Sequence, residues 1–146
     1  MIYTELTCKA MKFCYYAHHG QFDKAGVPYV FHPYHVAEQM ECEYDICAAL
    51  LHDVVEDTNY TLDDIRAEGF PEEIIVAVAC LTREKDQPYM DYIRVVSTNA
   101  IATRVKLADL EHNSDKTRLP SDDQNYNEKL HARYAKAKAF LLGENK

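Results

Sequence analysis

An all-α fold is predicted by three observations. Apolar residues recur at helical spacing along nearly the whole chain. The 4 glycines and 5 prolines are few and fall at breaks between those patterns. No two segments show paired period-two alternation: Val30-Phe31 and Arg94-Val95-Val96 could form short strands, but neither has an alternating partner. The pattern gives a single bundle of about seven to eight helices. The first runs from Thr4 to His19, with Leu6, Ala10, Phe13 and Ala17 on one stripe. A loop with Gly20, Asp23, Gly26 and Pro28 follows to Phe31. Pro33 suits the first turn of a helix over His32 to Glu41. Asp45 is placed to cap a third helix running to Asp57. Thr61 and Asp64 form a capping box for a short fourth, with Asp in the place of the usual Glu or Gln. Pro71 opens a fifth that turns Ile74, Ile75, Val78 and Leu81 inward, and Pro88 a sixth over Tyr89 to Val96. Ala100 to Asn113 is the seventh, and Asp123 to Leu142 the eighth, ended by Gly143.

The length, 146 residues, suits one domain over 1–146 with one core. With 47% hydrophobic and 27% charged residues the chain is globular, and no apolar run approaches the roughly 20 residues of a membrane helix. Met1 to Phe13 lacks the basic-then-apolar pattern of a leader. The five cysteines are odd in number and contain no C-x-x-C pair, so they read as reduced thiols of a cytoplasmic protein. A net charge of −8 excludes a general nucleic-acid binder. It leaves a small anionic substrate open, because a metal and a few lysines reverse the local potential.

The chemistry concentrates at His52-Asp53, inside Ala48-Ala49-Leu50-Leu51-His52-Asp53-Val54-Val55-Glu56-Asp57-Thr58. The aliphatic lead-in predicts a helix that carries the pair inward, with adjacent side chains about 100° apart and able to reach one ion. Imidazole and carboxylate together suit a divalent transition metal. Glu56 is placed on the same face and Asp57 one turn beyond Asp53, two further carboxylates available for proton transfer. Burying three acids with a histidine is very costly unless a cation pairs with them. Two distant segments offer further ligands: His32 before Pro33, and Asp109 among Val105, Leu107, Ala108 and Leu110. Taken alone, Asp109 reads better as a cap or as an ion pair with Lys106 or Arg104 than as a ligand.

His32, His52-Asp53 and Asp109 together resemble the H…HD…D order of the HD-domain metal phosphohydrolases. Ala17-His18-His19-Gly20-Gln21, Gly26-Val27-Pro28-Tyr29, His32-Pro33-Tyr34-His35-Val36-Ala37, Ala48 to Thr58 and Val105 to Asn113 further resemble the hydrolase domain of Rel/Spo alarmone enzymes. The likeness covers Leu6 to Ser114, with no synthetase domain, as in a small stand-alone alarmone hydrolase. It implies a helical HD-domain bundle and one divalent metal, manganese in most members. It also implies removal of the 3′-pyrophosphate from ppGpp and pppGpp. By position it implies His32, His52, Asp53 and Asp109 as metal ligands, Glu56 and Asp57 as the residues that place water and handle protons, and Asn113 as a nucleotide contact. Tyr134 matches a tyrosine that related enzymes turn to substrate.

One departure bears on the substrate. Where the family loop carries Arg-Lys against the base, this chain has Asp23-Lys24: Lys24 is kept and the planar cation is lost. That keeps open a different nucleotide phosphate, such as the 2′-phosphate of NADPH or an adenine alarmone. A non-catalytic nucleotide-binding module ranks lower, because all six metal and proton-handling positions are intact. Of the remaining histidines, His18 is expected to bond loop backbone, His35 to lie at the surface or behind the ligands, and His112 to stand behind the ligands. Tyr89-Met90-Asp91-Tyr92 is expected to pack beside the site rather than close over it.

Overall fold

The computed structural model describes residues 1–118 and 124–143. It is helical, and the described residues contain no strand; an isolated antiparallel bridge between Phe22 and Pro28 closes the loop after the first helix. In chain order the helices are α1 (Glu5–Ala17), α2 (Phe31–Glu38), α3 (Glu43–Leu51), α4 (Val54–Asp57), α5 (Leu62–Ala67), α6 (Glu72–Leu81), α7 (Tyr89–Ser97), α8 (Ala100–Asn113) and α9 (Gln124–Leu141), with a 3-10 turn at Lys116–Arg118. Eight have six residues or more and α4 is a single turn, as the sequence pattern predicts in kind and number.

α3 is the central element. Every side chain from Asp45 to Leu51 is buried, and α1, α2, α6 and α8 pack around it. A helix apolar on all sides is stable only in such a position. Buried residues from α1 to α9 form one contiguous cluster around Ile46, Leu50, Ile74, Val78, Ile93 and Leu110. Local capping matches the sequence reading at Thr61, whose hydroxyl accepts from Asp64 N at 3.2 Å while Asp64 Oδ2 accepts from Thr61 N at 2.8 Å. Thr4 and Thr7 form the same reciprocal box at the start of α1.

Two expectations need correction. Asp45 does not cap α3. The N-cap is Cys42, and Asp45 sits in the first turn with its carboxylate taken bidentately by Arg104 of α8, at 2.6 Å from Nε and 3.0 Å from Nη2. A fork-to-fork pair of this kind ties two helices together in fixed orientation. The third helix does not run through to Asp57. It stops at Leu51, and the chain passes through His52 and Asp53, the latter at φ −103° and ψ −1° on the edge of the helical region, before α4 starts at Val54. The side chain of His52 contributes to the break, because its Nδ1 donates to Ala49 O at 2.5 Å. The two segments set aside as strands for want of a partner form none: Phe31 begins α2, and Arg94 to Val96 lie within α7.

α2 ends at Glu38, three residues before its expected end. Of the final helix, Asp123 lies outside the described residues, and the chain leaves α9 through Gly143 at φ 75°, a left-handed exit that favours glycine. No helix among the described residues is long and apolar enough to cross a membrane.

Candidate metal centre and substrate cavity

The first turn of α2, the break between α3 and α4, and the last turns of α8 converge at one point below the protein surface. His32 Nε2 lies 2.8 Å from Asp109 Oδ1 and 3.8 Å from Asp53 Oδ2. His52 Nε2 lies 3.1 Å from Asp53 Oδ2 and 3.5 Å from Asp109 Oδ1. Ligands bonded to one ion at about 2.0–2.2 Å stand about 3 to 3.5 Å from their neighbours. The four histidine-to-carboxylate spacings, from 2.8 to 3.8 Å, bracket that range. His52 Nε2 is buried without a hydrogen bond of sound geometry, an orphan in the direction of the cluster. Two imidazoles and two carboxylates, with one orphaned nitrogen, fit a divalent metal. His52 and Asp53 themselves form the break between α3 and α4, so both ligands come from one two-residue stretch of chain.

Around these atoms a second set of contacts fixes orientation. Nδ1 of His52 is held on Ala49 O, which leaves Nε2 as the free ligand nitrogen. Asp109 Oδ2 accepts from Lys106 Nζ at 2.8 Å, and Asn113 Nδ2 donates to Oδ1 at 3.1 Å. The buried Lys106 also lies 5.2 Å from the Tyr92 ring. The Tyr29 hydroxyl donates to Asp53 Oδ2 at 2.5 Å. Behind His32, its Nδ1 stands 2.8 Å from His112 Nδ1, and His35 stacks on His112 with ring centroids 4.0 Å apart. His112 thus stands behind the ligands as expected, and burial, with Arg118 and the neighbouring histidines, lowers its pKa to about 4. His18 departs from expectation: its Nδ1 pairs with the side-chain Oε1 of Gln21 at 2.8 Å, and Gln21 in turn donates to Asp57 O at 2.9 Å.

The charges balance inside the cluster. Burial alone would neutralise Asp53 and Asp109. The histidines override it at Asp53, and Lys106 with the histidines overrides it at Asp109, so both carboxyls stay below their ordinary range. Burial likewise opposes charge on His52, but Asp53 and Asp109 raise its pKa well above the ordinary value.

Glu56 and Asp57 stand on the solvent side, and each can bring a carboxylate oxygen within 4.8 Å of one from Asp53. Partial burial and then the charges of Asp53 and Glu56 push Asp57 up to about 7. Burial also raises Glu56, whose Oε1 accepts from Arg83 N at 2.8 Å. Tyr92 packs as expected, buried with its hydroxyl on Leu81 O at 3.0 Å.

A cavity of about 330 Å³ opens beside His32. Tyr29, His32 and Asn113 line its deep end, and Phe22, Tyr126, Leu130 and Tyr134 give it an apolar and aromatic wall. Lys24, Asp23 and Arg118 are its charged groups. Lys24 Nζ meets the Tyr126 hydroxyl at 3.0 Å, and Arg118 Nη1 donates to His112 O at 2.8 Å. A larger groove of about 630 Å³ runs along α1 near Lys12, Tyr16 and Tyr60, but it holds no histidine-carboxylate cluster. The smaller cavity, which touches the ligand set, is the one suited to chemistry.

Lys24, Asn113 and Tyr134 are therefore gathered with His32 at one cavity. The ion pair of Asp109 with Lys106, one of the alternatives the sequence offered, is formed beside the ligands, whereas sequence reasoning missed Tyr29, Arg83 and Arg118. Nothing in local spacing signals them, because each acts across a long stretch of chain or through backbone.

No protein-family model matches the chain. In sequence it is 36% identical over 111 residues to a guanosine-3′,5′-bis(diphosphate) 3′-pyrophosphohydrolase of Haemophilus influenzae, a match covering 66% of this chain and 16% of that protein. It is 34% identical over 116 residues to the protein of the same name from Aquifex aeolicus, covering 73% of this chain and 16% of the relative. Over 53 residues it is 47% identical to the bifunctional (p)ppGpp synthase/hydrolase SpoT of Escherichia coli, covering 34% of this chain and 8% of the relative. The chain thus spans less than a fifth of the length of these relatives. In fold it matches a solved structure of a metazoan orthologue of SpoT that hydrolyses ppGpp. The TM-score is 0.77 at 24% identity, and the match covers 97% of this chain and 88% of that one. Sequence and fold therefore agree with the motifs: the chain is related in sequence to SpoT/Rel-type (p)ppGpp 3′-pyrophosphohydrolases and has the fold of a SpoT orthologue.

Proposed function

We propose that this protein is a metal-dependent phosphohydrolase that removes the 3′-pyrophosphate from (p)ppGpp-type alarmones, giving GDP or GTP and pyrophosphate. The observation that carries this reading is the set of four donor atoms at 2.8 to 3.8 Å beside a cavity with cationic and aromatic walls. In this reading His32, His52, Asp53 and Asp109 hold one divalent ion, with manganese the proposed occupant. When bound, the ion supplies a Lewis acid that activates water near neutral pH and steadies charge on phosphorus oxygens.

The chain's own residues do the rest. Asp57, with its carboxyl raised to about 7, takes or returns a proton near neutral pH. Glu56 is fixed by Arg83 N through one oxygen, which leaves the other to orient water. Lys24 and Arg118 offer positive charge to a second phosphate group along the cavity. Asn113, already bonded to Asp109, marks the boundary between metal and nucleotide.

The loss of a planar cation at position 23 of the cavity wall favours a second reading with the same metal chemistry and another nucleotide phosphate as substrate. The deciding experiment is turnover of ppGpp, pppGpp, ppApp and NADPH by the manganese-loaded protein, with products identified. Pyrophosphate from ppGpp supports the alarmone reading. Phosphate from NADPH with no alarmone turnover replaces the substrate and keeps the site.

A further inference from the structure

Asp23 Oδ1 accepts from Ala25 N at 2.8 Å and from Val27 N at 3.0 Å. Asp23 N also donates to Val27 O at 2.8 Å, and Gly26 takes φ 79° to complete the turn. One carboxylate oxygen therefore builds the loop. The other, Oδ2, has no hydrogen-bond partner among the described residues, although Asp23 is half-buried in the cavity wall. The group is an acceptor, held rigidly and available to a ligand.

Its neighbours say what that ligand's near part is. Phe22, 64% exposed, stands next to it in the chain, and Tyr126 and Leu130 complete the same apolar wall. These flat and apolar surfaces suit the π-face of a base. The cavity also reaches His32, through which it adjoins the ligand cluster where phosphate chemistry belongs. A nucleotide lying along the cavity has its ring edge beside Asp23.

We infer that Asp23 is a specificity-determining residue whose free carboxylate oxygen reads the hydrogen-bond-donor edge of a guanine base. Guanine presents an imino N–H and an amino group side by side, and both can donate to a carboxylate. Xanthine presents a carbonyl oxygen in place of that amino group and meets Oδ2 as acceptor against acceptor. A site group built to accept from a ligand's N–H discriminates against an analogue that offers an acceptor in its place. The inference rests on the nucleotide reading of the cavity but not on the reaction performed there.

Asp23→Asn tests it with little structural change. The amide oxygen retains both backbone bonds, and only Oδ2 changes, from acceptor to donor. Binding of GDP and of XDP to the manganese-loaded protein, by titration calorimetry, is compared in wild type and D23N. Wild type is expected to prefer GDP by about tenfold to a hundredfold, the range set by a hydrogen bond to a charged group. D23N is expected to lose or invert that preference at an unchanged melting temperature. Equal binding of GDP and XDP in wild type overturns the inference, as does a D23N preference matching wild type. ppGpp turnover, measured alongside, separates the two claims: GDP preference and its D23N reversal without ppGpp hydrolysis sink the proposed reaction and leave Asp23 as the base reader.

Discussion

The Tyr29 hydroxyl and Asp53 Oδ2 meet at 2.5 Å, so the loop after α1 reaches directly into the ligand cluster. The carboxylate oxygen that faces both histidines is thereby oriented by a residue 24 positions earlier. Tyr29→Phe removes only that hydroxyl. Partners of metal ligands typically contribute about 10- to 100-fold in metal affinity. The expected result is a manganese affinity weakened by that amount at unchanged stoichiometry, read by calorimetry. Unchanged affinity would make Tyr29 a wall residue only.

Metal and protons compete at this centre. Without metal, Asp53 and Asp109 hold His52 protonated well above its ordinary range, while both carboxyls stay ionised. A metal must displace that imidazole proton. The sign follows: at neutral pH binding releases a proton, and affinity falls as pH falls, by up to about tenfold per unit for one displaced proton. Calorimetry in two buffers of different ionisation enthalpy measures the release. Zero proton release at pH 7 would contradict the charge balance described for His52.

Glu56 is expected to act after metal binding. Glu56→Gln keeps an acceptor for Arg83 N and removes the ionisable oxygen. Metal stoichiometry should be retained and turnover should fall by about 10² to 10⁴, the usual contribution of positioned proton transfer. Turnover close to wild type would remove Glu56 from the reaction.

Lys106 is buried with its ammonium on Asp109 Oδ2 at 2.8 Å. Lys106→Met leaves that carboxylate without its counter-charge. Breaking a buried pair from one side costs about 3 to 5 kcal/mol. Urea unfolding of the metal-free protein should show that loss, with part recovered on adding manganese, because the ion restores positive charge beside Asp109. A variant as stable as wild type would place the Asp109 charge under the control of the histidines alone.

Sequence signals were strongest where the determinant is local or chemically rare. The capping box at Thr61 and Asp64 needs three residues of spacing and formed as read. His32, His52-Asp53 and Asp109 stood out because such residues in apolar surroundings need a partner, and the fold brings their donor atoms together. The helix break at His52 was not legible: an aliphatic run followed by Val54 and Val55 carries the periodicity of a continuous helix. The break carries a side-chain bond from His52 back to Ala49 O, which no hydrophobic pattern records. Asp45 misled for a related reason. An acid near a helix start reads as a cap, yet its partner is Arg104, 59 positions away.

The two ends of the cavity rest on differently supported parts of the chain. His52, Asp53 and Asp109 are set at or beside buried helices, where a substitution disturbs the packing of α3 or α8. Tyr126, Leu130 and Tyr134 belong to α9, whose described side chains are exposed or half-buried apart from Ala137. Replacing residues on such a helix costs little folding energy. Selection can therefore redraw the apolar wall of the cavity in single steps while the histidine–carboxylate cluster stays fixed, which makes α9 the natural starting point for redirecting this scaffold to new ligands.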